Sequence, residues 1–246
     1  MKINLVSKLH NATSRNYLAR MQDQKVFCMK TAKKYGKDYW DGKRRYGYGG
    51  YKYMPGRWAK AAKKLIKIYK LKAGSKILDV GCGKSFLLYE MLKIEPNLKI
   101  YGFDISRYAL KRAKKHKNLK TFYHKAEKKI PYKKNYFDLV ISLATLHNLK
   151  IFDLINSINE IERVGKKKYI MVESFNNDRQ LFNLQCWALT CQTFLSTKEW
   201  LWLYKKFGYR TPAKVKDLNE TMDSDSDNFD EFDDYEMKYD EWDNGK

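Results

Sequence analysis

The residues with the plainest chemical potential stand together: Asp79-Val80-Gly81-Cys82-Gly83-Lys84-Ser85, followed by Asp104 twenty-one residues after Gly83. Gly81 and Gly83 let the backbone turn sharply and come close to a ligand. A helix starting just beyond them offers N–H groups that have no partner inside the helix. An acid placed like Asp104, at the end of the next strand, can accept hydrogen bonds from both hydroxyls of a ribose. A glycine turn alone says little. Set between a strand, a helix and a second strand ending in an acid, it points to a ligand that carries a nucleoside.

The hydrophobic pattern supplies elements to hold these residues. Short apolar runs at 76–80, 99–105, 119–124, 136–143 and 167–175 read as strands. Between them, 86–94, 107–117 and 151–165 have helical spacing, with Ile151, Leu154, Ile155, Ile158 and Ile161 on one stripe and Gly165 as a cap. Further helices are predicted over 13–34, 57–70, 179–193 and, capped by Ser196 or Thr197, to Gly208. Strands alternating with helices imply parallel strands with right-handed crossovers, so the fold class is α/β, doubly wound. Ligands of such sheets sit beyond the carboxyl ends of the strands. Residues 36–58, rich in Gly and Tyr, read as a long aromatic loop of the kind that closes over a site, with Tyr48 and Tyr51 in it and Arg57 at its end. Trp200, Leu203 and Tyr204 have core spacing.

The chain has 246 residues, 43% of them hydrophobic, with a net charge of +22. Residues 217–246 carry 13 acids against two Lys, so the remainder is at +33. Three parts follow: 1–56, helical and ending in the aromatic loop; 57–216, the α/β domain; and 217–246, an acidic tail expected to be disordered. No apolar run is long enough to span a membrane, and the N-terminus lacks an apolar core of signal-peptide length. Four cysteines without a CxxC pair fit a reduced, cytoplasmic setting. No His, Cys, Asp and Glu cluster has metal-ligand spacing. The basicity suggests an anionic partner. But 40 Lys against 10 Arg fits base readout poorly, because Arg supplies the planar bidentate fork.

LDVGCGKS, then YGFDIS, then YFDLVISLATLHNL resembles the class I S-adenosylmethionine-dependent methyltransferases over roughly residues 57–210. That resemblance implies a mostly parallel Rossmann-like sheet and S-adenosyl-L-methionine as cofactor. It implies that Asp79 holds the methionine end and that Gly81, Cys82 and Gly83 lie along it. Asp104 and Ile105 would take the ribose, Ala126 and Glu127 the adenine, and Ser142 and Leu143 would flank the cofactor. The motif's third small residue is Ser85, where this family usually has Gly. His147, after the fourth strand, has a reference pKa suited to a base, or is a loop cap. Glu173, ending the fifth strand, could orient a substrate amine or hydroxyl, or pair with a Lys.

SLAT stands where adenine-N6 methyltransferases carry (D/N)-P-P-(Y/F), and no Pro-Cys nucleophile is present. A small-molecule O- or N-methyltransferase is therefore expected. The flanking stretches 37–58, 161–174 and 181–191 resemble a bacterial subfamily that modifies surface polysaccharides and sugars. A sugar or nucleotide-sugar acceptor, anionic in the second case, follows from that resemblance. The alternatives are an RNA or protein methyltransferase using the basic surface, and a non-catalytic cofactor-binding protein.

Overall fold

The computed structural model describes residues 15–207 and 219–223. Six strands form one sheet: β1 (Lys76–Val80), β2 (Lys99–Asp104), β3 (Leu119–Tyr123), β4 (Leu139–Leu143), β5 (Lys168–Ser174) and β6 (Asn219–Asp223). Their order is β3-β2-β1-β4-β5-β6, and every pairing is parallel. From β1 the chain steps outward to β3, then returns to the other side of β1 with β4. The strand order therefore reverses between β1 and β4, which is where such sheets open a ligand crevice.

Both faces are covered, which is why the inner strands read as unbroken apolar runs. Alternation along each strand sends neighbours to opposite faces. Ile77, Leu139 and Ile141 pack with α4 (Ala59–Tyr69) and α5 (Phe86–Ile94), through Ala62, Leu65, Leu88 and Met91. Leu78, Val80 and Val140 pack with α7 (Ile151–Val164) and α9 (Thr197–Lys206), through Leu154, Ile158, Ile161 and Trp200. Trp200, Leu203 and Tyr204 are all buried, so core packing is what their spacing meant. Gly165 does cap α7, though in an extended conformation.

Several expectations change. The helix predicted over 13–34 is two helices, α1 (Tyr17–Gln22) and α2 (Lys25–Ala32), broken where Gln24 takes a left-handed conformation at φ 43°. The aromatic loop contains α3 (Lys37–Asp41) and a 3-10 turn (Arg44–Tyr46). The helix predicted over 107–117 ends early, as α6 (Arg107–Lys111). α8 (Asp178–Trp187) stops short of 193. A sixth strand, β6, pairs parallel to β5 and lies inside the segment expected to be a disordered tail. Among the described residues it stands at one edge of the sheet. The rest of the tail, residues 208–218 and residues 1–14 lie outside the described residues.

α9 has a complete capping box. Ser196 accepts from the Glu199 N–H at 3.2 Å, and the Glu199 carboxylate accepts from the Ser196 N–H at 2.6 Å. Ser196→Ala should therefore cost about 1 kcal/mol, read as a lower thermal midpoint by a few degrees with fold and cofactor binding retained.

Candidate active site

β1 ends in a run of left-handed residues: Gly81 at φ 84°, Gly83 at φ 52° and Ser85 at φ 60°. Two of the three are glycine because of what lies against them. A Cβ on Gly81 would stand 2.1 Å from Thr145 Oγ1, and one on Gly83 would stand 2.8 Å from the Trp40 ring. The Gly81 and Cys82 N–H groups both donate to Phe103 O, at 2.9 and 3.0 Å, which ties the turn to β2. Asp104 completes the tie. Its Oδ2 accepts from the Gly83 N–H at 2.8 Å and its Oδ1 from the Ser106 N–H at 2.7 Å. Burial raises the Asp104 carboxyl above its usual range, and these backbone donors counter the shift.

The aromatic loop lies directly on this turn. Ser106 Oγ accepts from Trp40 Nε1 at 2.8 Å and donates to Tyr35 O at 2.6 Å, fixing α3 beside β2. Lys84, almost wholly buried, reaches Asp41 Oδ1 at 2.6 Å and Tyr51 O at 2.7 Å. Tyr48 stacks on Trp40 with centroids 5.2 Å apart, and Tyr51 stacks on Phe86 at 4.9 Å. Tyr48 and Tyr51 thus belong to one covering layer over the glycine turn. Arg57 is exposed, with Nη1 on Met54 Sδ, at the outer edge of that layer.

On the β4 and β5 side, Ser142 is buried with its Oγ on Val80 O at 3.2 Å, and Leu143 and Thr145 carry the chain past the turn. His147 is buried in a 3-10 turn (Leu146–Asn148). Its Nδ1 accepts the Glu173 N–H at 3.2 Å, and its Nε2 stands 3.8 Å from Glu173 Oε2. Burial lowers the His147 pKa and Glu173 partly restores it. The neutral ring has its one lone pair engaged by the Glu173 backbone and turns its other nitrogen toward the Glu173 carboxylate, which is partly open. Along β2 and β3, Ile105 is exposed, while Ala126 and Glu127 are half-buried beyond the end of β3. Ser142, Leu143 and Glu173 lie in the carboxyl-terminal ends of β4 and β5, and Ile105, Ala126, Glu127 and His147 lie just beyond strand ends.

Trp40, Asp41, Lys84, Ser106 and Tyr35 were not among the expected site residues. Lys84 and Ser106 sit inside the quoted motifs, so their position was a usable signal. Trp40, Asp41 and Tyr35 join the site only through packing of the N-terminal helices.

The pattern of a family described as a methyltransferase domain matches residues 71–230, more than half of the chain. The chain belongs to that family. Arginine-hydroxylase NDUFAF5, mitochondrial, of Mus musculus is 31% identical over 110 residues, 44% of this chain and 31% of that protein. Ribosomal RNA small subunit methyltransferase C of Buchnera aphidicola is 33% identical over 117 residues, 44% of this chain and 32% of that protein. A tRNA N(3)-methylcytidine methyltransferase of Schizosaccharomyces pombe is 52% identical over 40 residues, 16% of each chain. The matches thus span about a third of these curated relatives or less. Among solved structures, a methyltransferase-like protein of Bacillus halodurans gives a TM-score of 0.50 at 21% identity, covering 60% of this chain and 68% of its own. A sarcosine dimethylglycine methyltransferase-like protein of Galdieria sulphuraria gives 0.50 at 18%, covering 62% and 59%. At these identities the likeness is one of fold.

The chain carries an S-adenosyl-L-methionine-dependent methyltransferase domain, and its residues fit that cofactor. Asp79 Oδ1 is buried without a hydrogen-bond partner, a cost that a cationic group would remove. Burial, and then the charge of Asp104, push the Asp79 carboxyl up to about 8. The folded chain therefore holds this proton far more tightly than the unfolded chain, whose reference value is 3.8. Stability from this group is full at acid pH and falls as pH rises toward about 8. The cationic methionine end of the cofactor favours the ionised carboxylate, so affinity should rise with pH and level off above about 8. Calorimetry in buffers of different ionisation enthalpy should register proton release on binding near neutrality. Asp79→Asn should abolish that release, weaken cofactor binding about tenfold or more, and raise the melting temperature of the cofactor-free protein at alkaline pH. Ser85→Gly should stabilise the protein by about 1 kcal/mol in denaturant melts, because a non-glycine residue is strained at φ 60°.

Proposed function

We propose that this methyltransferase methylates an oxygen or nitrogen of a small acceptor, a sugar or nucleotide-linked sugar, bound between the aromatic layer and the carboxyl ends of β4 and β5. The observation that carries this reading is the Glu173 carboxylate. It is partly exposed at the end of β5, with its backbone N–H on His147 Nδ1 and its Oε2 3.8 Å from His147 Nε2, and it is within electrostatic reach of the Tyr48 hydroxyl. A narrow aromatic roof over one carboxylate suits a small, hydroxyl-rich or amine-bearing acceptor.

Bound cofactor supplies an electrophilic methyl group on a sulfonium sulfur. With that chemistry supplied, the chain's own work would be to align the acceptor and exclude water. Tyr48, Tyr51 and Trp40 provide the exclusion. Glu173 takes the proton lost by the acceptor, and it returns to solvent through the open side of the carboxylate. His147 acts as a positioning residue: its Nδ1 fixes the Glu173 backbone, and its Nε2–H faces the carboxylate. Arg57, at the outer edge of the layer, would meet an anionic end of the acceptor. In this reading the part up to residue 56 forms the roof.

An RNA acceptor is the second reading, favoured by the names of the Buchnera and Schizosaccharomyces relatives. Incubating cell extract with enzyme and labelled methyl donor separates the two. Label in the low-molecular-weight fraction supports the small acceptor; label confined to RNA removes it. With the acceptor in hand, Glu173→Gln should lower kcat by about 10² or more while cofactor affinity is kept. His147→Gln should lower kcat less and alter its pH profile; equal kcat in both variants and the parent would remove Glu173 from the mechanism.

A further inference from the structure

Beside the site is a cluster of cations that the methyl-transfer chemistry leaves unused. The Arg15, Arg20 and Arg44 guanidinium carbons lie 4.9, 5.4 and 5.1 Å from the centroid of one ring, Trp187 at the end of α8. Arg20 is 5% exposed, and its Nε is buried without a partner. One N–H of Arg20 goes to Arg45 O at 2.7 Å, and one of Arg44 goes to Gly47 O at 2.6 Å. Neither Arg20 nor Arg44 makes an ion pair among the described residues, whereas their neighbour Arg45 has Asp23 at 2.6 Å. Burial lowers Arg20 to about 10, and the neighbouring Arg44 and Arg45 charges add to the shift. Burial and Arg15 likewise lower Arg44.

Such an arrangement is expensive without an anion. Like charges are brought together and partly stripped of water, with no ion pair to Arg20 or Arg44 among the described residues. It is also well formed for one anion type. Guanidiniums held over an aromatic ring keep their charge and their N–H edges, and two or three forks together match the several oxygens of a phosphate. The place is informative too. Arg44 lies within electrostatic reach of the Tyr39 and Tyr48 hydroxyls, and Tyr48 in turn of Glu173. Arg44 also opens the 3-10 turn (Arg44–Tyr46) that leads into Tyr48 of the covering layer.

We propose that Arg15, Arg20 and Arg44, gathered on Trp187, form a subsite that seats a phosphate or pyrophosphate group of the methyl acceptor. The proposal rests on the small-acceptor reading above and narrows it to a phosphorylated or nucleotide-linked acceptor. It also explains why Arg gathers here in a chain whose cations are mostly Lys: a fork, and not only a charge, is wanted.

The probe is pyrophosphate, titrated calorimetrically into the full chain, with and without S-adenosylhomocysteine, at ionic strength held constant with potassium chloride. Saturable binding is expected in the parent. It should weaken about tenfold or more in Arg44→Gln and in Arg15→Gln, and less in Arg44→Lys. Lys117→Gln, an exposed change just ahead of β3 at the opposite edge of the sheet, should leave it unchanged. S-adenosylhomocysteine affinity should be the same throughout, which also shows that each variant is folded. If Arg44→Gln fails to fold, Arg15→Gln decides. Absence of saturable pyrophosphate binding, or equal binding in the parent and the Gln variants, overturns the subsite. The labelled-methyl experiment judges the small-acceptor reading by a separate readout, so either can fail alone.

Discussion

The carboxylate of Asp104 is the constraint on which the site depends. One oxygen holds the Gly83 N–H, fixing the end of β1, and the other holds the Ser106 N–H, fixing the start of α6. Ser106 passes the constraint on, since its hydroxyl takes Trp40 Nε1 and gives its proton to Tyr35 O. A single buried acid therefore sets the cofactor turn, the next helix and, through one hydroxyl, the aromatic roof. Acids of this kind are retained despite the cost of burial because charge-assisted bonds to backbone N–H groups offset it. The geometry also leaves lone pairs over, since each Asp104 oxygen accepts one bond where it can accept two. The same residue can hold the apo turn and still receive a ribose.

Asp79 and Asp104 oppose one another within this arrangement. Asp104 has donors and Asp79 Oδ1 has none, so the negative field of Asp104 falls on a neighbour that cannot disperse it. Burial raises the Asp79 pKa in the cofactor-free protein, and this conflict adds to the shift. A cationic ligand resolves it, which makes the conflict a source of binding energy at one end of the cofactor. The arginine cluster at Trp187 is the mirror image: excess positive charge, partly desolvated, that an anion would resolve. The two imbalances have opposite signs, and the proposed acceptor and the cofactor's methionine end would answer them separately.

Legibility in the sequence followed the range of the interactions. The glycine turn, Asp104 and the strand ends were readable because left-handed turns, helix starts and parallel strands leave local marks within a few residues. The two-sided core was readable from unbroken apolar runs. What escaped notice depends on distant contacts. Trp40 matters because it meets Gly83 and Ser106, forty and more residues away in sequence, and nothing local distinguishes it from Trp58. The break at Gln24 escaped because a left-handed residue other than Gly gives little warning. The role of His147 could not be read because it turns on which ring nitrogen the Glu173 N–H occupies. β6 was missed for a different reason: its short run is acidic, with none of the apolar or alternating pattern that marks a strand in sequence.

The departure at Ser85 shows how such a site absorbs an imperfect residue. A left-handed Ser is strained by about 1 kcal/mol relative to Gly, yet its backbone is held from both sides. Its N–H goes to Cys82 O at 2.8 Å, and its carbonyl accepts from Tyr89 in the first turn of α5. Lys84 beside it is pinned by Asp41 and Tyr51 O, and Lys84 O in turn accepts the Lys114 N–H at 3.1 Å. The strain is thus local and outweighed by contacts that join the turn to the roof and to the far end of α6. Those same contacts tie the covering layer to the glycine turn, by charge at Lys84–Asp41 and by packing at the Trp40 ring.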